Sequence, residues 1–131
     1  MRILLLALSL LLSACANAPQ RNPLAEWVPS PNFEARRPVI IVVHATEQGS
    51  ARQSLETLRT ANSKGPVSSR YLVGDDGRIY QLVADGDRAW HAGGGSWGTI
   101  TDLNSVSIGI EIDNEVGEPY TEAQIVAGNG G

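Results

Sequence analysis

Apolar and polar positions fall into a few distinct patterns along this 131-residue chain. Ile3 to Leu12 is an almost unbroken apolar run behind Met1-Arg2. Val39-Ile40-Ile41-Val42-Val43 is shorter and rich in β-branched residues, which predicts a central strand buried on both faces and ending at His44. Ser50-Ala51-Arg52-Gln53 has capping-box spacing. Ala51, Leu55 and Leu58 then recur at helical intervals, so a helix is expected to about Asn62, with Gly65-Pro66 beyond it. Arg70 to Val73 and Arg78 to Val83 read as the arms of a hairpin around Gly74-Asp75-Asp76-Gly77. Residues 84 to 105 are read as largely loop. Val106 to Ile112 alternates cleanly, and this predicts a strand with its aliphatic residues towards the core and Ser107, Gly109 and Glu111 facing the other way. Thr121, with Gln124 at the box position, opens a last helix, which Gly128-Asn129-Gly130-Gly131 is expected to end after about one turn.

The first apolar run changes the picture of the N-terminus. It is short of the ~20 apolar residues that a spanning helix needs. A basic start, an apolar stretch of this length and small residues at its end have the form of a secretory signal. Leu12-Ser13-Ala14-Cys15 resembles the bacterial lipoprotein signal, in which the cysteine becomes the lipidated first residue. Cys15 is the single cysteine, so an intramolecular disulfide is excluded. Ala16 after it, by the same resemblance, implies an outer-membrane lipid anchor facing the periplasm of a Gram-negative envelope. The expected organisation is a signal peptide over residues 1–14, a proline-rich tether and lead-in loop over 15–38, and one domain over 39–131. The net charge of −4 gives no basic face for nucleic acid.

Three segments carry candidate chemistry. His44 ends a strand, where a rigid neutral imidazole suits zinc, although a hydrogen-bonded core histidine is the simpler explanation of one such residue taken alone. Glu111 lies on a strand face whose neighbours, Ser107 and Gly109, are small, and this predicts open space above them. A partly desolvated glutamate there has a raised pKa and can act as a general base, against the ordinary alternative of a solvent-facing strand residue. His91 lies in Trp90-His91-Ala92-Gly93, before further glycines and Trp97, so Trp90, His91 and Trp97 are candidate substrate-binding residues; a turn with a surface histidine is the plain alternative. Gly94-Gly95-Ser96-Trp97-Gly98 matches G-x-S-x-G, but that elbow needs a strand before it and a helix after it, and neither is predicted.

Val43-His44-Ala45-Thr46, Ser69-Arg70-Tyr71-Leu72-Val73, Gly77-Arg78-Ile79-Tyr80-Gln81-Leu82-Val83, Trp90-His91-Ala92-Gly93 and Asn104 to Ile112 occur in one order. Together they resemble the zinc-dependent N-acetylmuramoyl-L-alanine amidases related to phage T7 lysozyme and the peptidoglycan recognition proteins. The resemblance implies an α/β fold, with a mixed central sheet, helices packed on it and a cleft at the strand ends. It implies a Zn2+ cofactor with His44 as one ligand, Glu111 as proton acceptor and His91 as a cleft residue that is not a ligand. The remaining ligands are expected in a C-terminal segment that this chain lacks, because no His follows His91 and no Cys follows Cys15. Asp113 and Glu115 are the nearby oxygen donors. Arg70 stands where close relatives often carry His, and Ala45 where many carry Tyr or Asn.

The implied partners are peptidoglycan or muropeptides, and the implied reaction is hydrolysis of the amide joining N-acetylmuramic acid to L-alanine, in cell-wall turnover. A non-catalytic peptidoglycan-binding module and an inactive truncated fragment are the alternatives.

Overall fold

In the computed structural model, residues 21–35 and 38–129 are described. The stretch expected to be a signal peptide, and Cys15 with its expected lipid anchor, lie outside them. Among the described residues twelve elements follow in order: β1 (Glu26–Trp27), β2 (Phe33–Ala35), β3 (Ile40–Ala45), α1 (Ala51–Arg59), β4 (Ala61–Asn62), β5 (Gly65–Pro66), β6 (Tyr71–Val73), β7 (Ile79–Gln81), β8 (Asp87–Ala89), α2 (Leu103–Val106), β9 (Ser107–Ile112) and α3 (Glu122–Asn129).

Five strands form a mixed sheet in the order β1-β7-β6-β9-β3. β6 and β7 are the predicted hairpin and pair antiparallel, while β9 lies parallel to both β6 and β3. The mixed sheet with helices on it is the α/β architecture expected from the chain.

α1 starts where predicted. The Ser50 hydroxyl accepts the Gln53 N–H at 3.3 Å, so one of the helix's orphan donors is satisfied. It ends at Arg59 rather than near Asn62, because Thr60 leaves helical geometry and Ala61–Asn62 turn back to pair with Gly65–Pro66. The core lies between α1 and the sheet: Leu58, Leu72, Leu82, Val83 and Ala89 are buried together, with Ala51, Leu55 and Tyr80 against them.

Four further expectations are corrected. The lead-in stretch is not only a tether, since Glu26–Trp27 joins the main sheet beside β7 and Phe33–Ala35 pairs with β8. The stretch read as loop holds β8 and the one-turn helix α2, whose cap is Asp102. α3 keeps its predicted capping box, with Thr121 N–H to Gln124 Oε1 at 2.9 Å and Gln124 N–H to Thr121 Oγ1 at 3.1 Å, but runs on through Gly128 to Asn129. The largest correction concerns β3 and β9. β3 has β9 as its one sheet neighbour among the described residues, and its alternate residues Ile41 and Val43 are 62% and 58% exposed. In β9 it is Ser107 and Gly109 that are buried, while Ile108, Ile110 and Ile112 are half-buried.

The reason is the placement of the helices. α1 covers the face of Leu72, and parallel register puts Glu111 on that face beside Leu72 and His44. α3 sits at the β6–β7 turn, where a Cβ on Gly77 would come within 3.0 Å of Ala123, and so does not reach over Ile41 and Val43.

Candidate active site

The continuous β-branched run makes β3 extended, and its pleat sends Ile40, Val42 and His44 to the α1 side. His44 pairs in register with Glu111 on β9, so adjacent parallel strands deliver an imidazole and a carboxyl side by side near their C-terminal ends. Parallel sheets commonly present functional groups there.

A cleft of about 170 Å³ opens above them, lined by His44, Thr46, Ser54, Trp90, His91 and Glu111, among others. A second groove of about 450 Å³ shares Asn62, Val67, Trp90 and His91 with it and continues along the 91–94 loop. The first volume is small beside the ~300–1,000 Å³ of ordinary ligand sites. A ligand larger than a few small groups therefore extends into the groove.

Burial sets the protonation of both strand residues. Desolvation pushes the Glu111 carboxyl from its ordinary 4.5 up to about 7. Desolvation also lowers the His44 imidazole below its ordinary 6.5, so it is neutral at pH 7. A neutral imidazole keeps a lone pair for a ligand, and a carboxyl poised near 7 can take and return a proton.

His91 reaches this centre from the glycine-containing loop. Its backbone N–H and that of Ala92 both donate to Asn104 Oδ1, at 3.0 and 2.8 Å. Trp90 is held next to it by Ser68, whose Oγ accepts the Trp90 N–H at 2.9 Å and whose N–H donates to the Trp90 carbonyl at 3.0 Å. The His91 ring lies directly over Gly109, where a Cβ would come within 2.4 Å of the ring. The space predicted above the small residues of β9 is thus filled by His91. The ring ends 2.9 Å from His44, Nδ1 to Nε2, with the two rings edge to face.

The structure brings His44, Glu111, Trp90 and His91 together and leaves Trp97 apart. Trp97 is 75% exposed, forms a small bridge with Ile100, and does not line the cleft. Asp113 and Glu115 do not line it either. They border a separate depression with Asp75 and Glu118, and Asp113 Oδ1 accepts from Thr46 Oγ1 and Ser54 Oγ at 3.3 and 3.2 Å. Arg70 is fully buried, with Nε donating to the Ala84 carbonyl at 3.2 Å and Nη2 to the Asp87 carbonyl. Ala45 lines the cleft rim and is exposed.

Sequence reasoning missed Asn104, Ser68 and the seat that Gly109 provides. The signal available for Gly109 was a glycine inside a strand, which often marks a close approach. Nothing local marks Asn104 or Ser68, because their partners are far along the chain.

As a test of fit to zinc, among the described residues no three His, Cys, Asp or Glu side chains converge. His44 is the one donor of the expected set that they bring to the cleft.

The family described as N-acetylmuramoyl-L-alanine amidase matches residues 34–129. The amidase AmiD of Escherichia coli K12 is 40% identical over 82 residues, which span 57% of this chain and 28% of AmiD. A crystal structure of AmpD superposes with a TM-score of 0.74 at 28% identity, covering 82% of this chain and 70% of that one. E. coli AmiD in complex with anhydro-N-acetylmuramic acid-L-Ala-D-γ-Glu-L-Lys superposes with a TM-score of 0.58 at 38% identity, covering 69% of this chain and 39% of that one.

Proposed function

This chain belongs to the N-acetylmuramoyl-L-alanine amidase family, and we propose that it acts on muropeptides, cleaving the amide between N-acetylmuramic acid and L-alanine in cell-wall turnover. The observation that carries this reading is the pairing of Glu111, poised near 7 by burial, with neutral His44 on adjacent strands in one cleft. The AmiD complex with an anhydro-muramyl peptide supports the substrate class.

In this reaction water adds across the amide. Its oxygen bonds to the lactyl carbonyl carbon and the carbon–nitrogen bond breaks. The Glu111 carboxylate takes the proton from the water and returns it to the leaving L-alanine nitrogen. Trp90 offers an apolar face at the junction of cleft and groove, suited to a sugar ring or a methyl-bearing peptide.

Amidases of this family are generally zinc-dependent. Bound zinc supplies a Lewis acid and lowers the pKa of water towards ~7. The described residues do not complete such a site by themselves, since catalytic zinc normally takes three protein ligands. Within this reading His44 is one donor. The shortage of donors also supports the second reading, a muropeptide-binding module that does not cleave.

The test is release of stem peptide from an anhydro-muramyl tripeptide, followed by mass spectrometry with zinc supplied. Where stem peptide is released, Glu111→Gln should lower the rate roughly 10²–10⁴-fold, as for a lost general base. Release at the same rate by the variant overturns the role of Glu111. Binding of the tripeptide without release establishes the binding module instead.

We further propose an outer-membrane lipid anchor on Cys15. It is supported by Leu12-Ser13-Ala14-Cys15. Among the described residues no helix is long and apolar enough to cross a membrane. One acyl chain anchors only marginally, so more than one is expected on Cys15. Mass spectrometry of the envelope form showing an unmodified N-terminus at another residue overturns it.

A further inference from the structure

The groove that continues the cleft has a charge pattern of its own. Asn62, Val67, Trp90, His91 and Asn104 are among the residues that line it, and none of its lining among the described residues is Asp, Glu or Arg. Its one such charge is Lys64, the single lysine of the chain. Lys64 is exposed, and the ion pairs among the described residues engage Arg70, Arg78 and Arg88 but not Lys64. The chain as a whole carries a formal charge of −4, so the groove is opposite in sign to the average. The backbone under Lys64 is fixed. Asn62 pairs with Gly65 and Ala61 with Pro66, which makes Ser63 and Lys64 the two loop residues of a tight hairpin. Asn62 Oδ1 accepts the Lys64 N–H at 2.8 Å, and Gly65 supplies a φ of +121°. Asn32 Nδ2 donates to the carbonyls of Thr60 and Val67, at 3.1 and 3.0 Å, and so ties both legs of the hairpin.

We propose that Lys64 is a specificity-determining residue whose ammonium pairs with a carboxylate of the peptide stem, so that the stem, and not the sugar, occupies the groove. This rests on the muropeptide reading of the cleft. With the scissile amide beside Glu111, one half of the substrate extends past Trp90 into the groove. The two halves differ in charge. The anhydro-muramyl sugar has no ionised group once its lactyl carboxyl is in the amide. In a stem such as L-Ala-D-γ-Glu-L-Lys the γ-linkage leaves the glutamate α-carboxylate free, and the last residue adds a second carboxylate. A groove walled by neutral groups and one ammonium favours the half that carries them. Because Lys64 is exposed, the pair is screened by solvent, and it contributes more to the orientation of the substrate than to its affinity.

The test is calorimetric titration of the full chain with zinc supplied, in the Glu111→Gln background so that turnover does not consume the ligand. Three ligands are compared: the anhydro-muramyl tripeptide, its D-Glu α-carboxamide and its C-terminal carboxamide. At low salt at least one carboxamide should bind roughly 3–10-fold more weakly than the tripeptide, between the scale of an exposed ion pair and that of a charge-assisted hydrogen bond. The weaker carboxamide identifies which carboxylate is read. Adding Lys64→Gln should weaken the tripeptide by the same factor and abolish the discrimination, while Lys64→Arg should keep it. The urea midpoint should not move with Lys64→Gln, because the side chain is exposed at a hairpin tip. Equal binding of all three ligands by the parent overturns the proposal, and so does a Lys64→Gln protein that discriminates as the parent does; in both cases the muropeptide reading stands. Failure of the parent to bind the tripeptide overturns that reading and the proposal with it. If the tripeptide is bound with the stated discrimination but the unsubstituted protein does not cleave it, the amidase reading fails and the role of Lys64 stands.

Discussion

On one face of the β3–β9 pair stand His44, Ser107, Gly109 and Glu111; on the other stand Ile41, Val43, Ile108 and Ile110. The polar face is the covered one. Ser107 and Gly109 are buried beneath His91, and α1 closes over Leu72 and the strand ends. The aliphatic face is the open one among the described residues, with Ile41 and Val43 more than half exposed. Polarity alone would assign the two faces the other way round. What decides is which face α1 and the His91 loop pack against. Ser107 tolerates burial there because it is hydrogen-bonded to His91 and to the Leu103 carbonyl, and His91 in turn meets His44.

The largest test of this comparison is a core deletion on the covered face. Leu72→Ala should cost about 2–5 kcal/mol, since Leu72 is fully buried against Leu58. Ile41→Ala on the open face should stay within roughly ~0.5 kcal/mol, as for an exposed site. Urea midpoints of the two variants should differ accordingly, and equal losses would mean that Ile41 is covered in solution.

Gly109→Ala comes next. The added Cβ meets the His91 ring at 2.4 Å, so the ring must leave its seat. Overpacking of this kind costs about 1–3 kcal/mol. The His44–His91 hydrogen bond should be lost with it, seen as disappearance of the ring N–H signals. Retention of both signals at unchanged stability would show that His91 does not lie on β9.

A third test is in pH dependence. Between the ordinary 4.5 and the folded value of about 7, Glu111 holds a proton in the folded state that the unfolded chain releases. Its contribution is thus fully present below 4.5 and is lost as pH rises through 7. His44 acts in the opposite sense, losing stability as pH falls below 6.5. Glu111→Gln removes only the first of these. The variant should therefore gain stability relative to the wild type on going from pH 5 to pH 8, measured by urea midpoints at each. No change in the difference between the two proteins would place Glu111 in solvent.

Much of this protein was legible without its structure. Capping boxes at Ser50 and Thr121, the Gly74–Gly77 turn and the β-branched run before His44 are local signals, and each marks a real element. The order of the motifs around His44, Trp90-His91 and Glu111 pointed to the family to which the chain belongs. These features depend on neighbours a few residues apart, where side-chain period and backbone propensity act directly.

What the tertiary structure decided is everything that depends on distant partners. Alternation in Ser107 to Ile112 fixed that two faces exist but not which would be buried, because period 2 is symmetric until something packs on one side. The path of the chain after Ala89 brings His91 onto Gly109 and within 2.9 Å of His44, across 47 positions of sequence. Trp97, six residues further on, looked equally suited to the cleft and ends up exposed. β1 and β2 are too short to announce themselves and exist because β7 and β8 offer them open edges. Local pattern set the elements and the residue types available to the site; packing chose the face, seated the imidazole and left the aliphatic side of the same strands in the open.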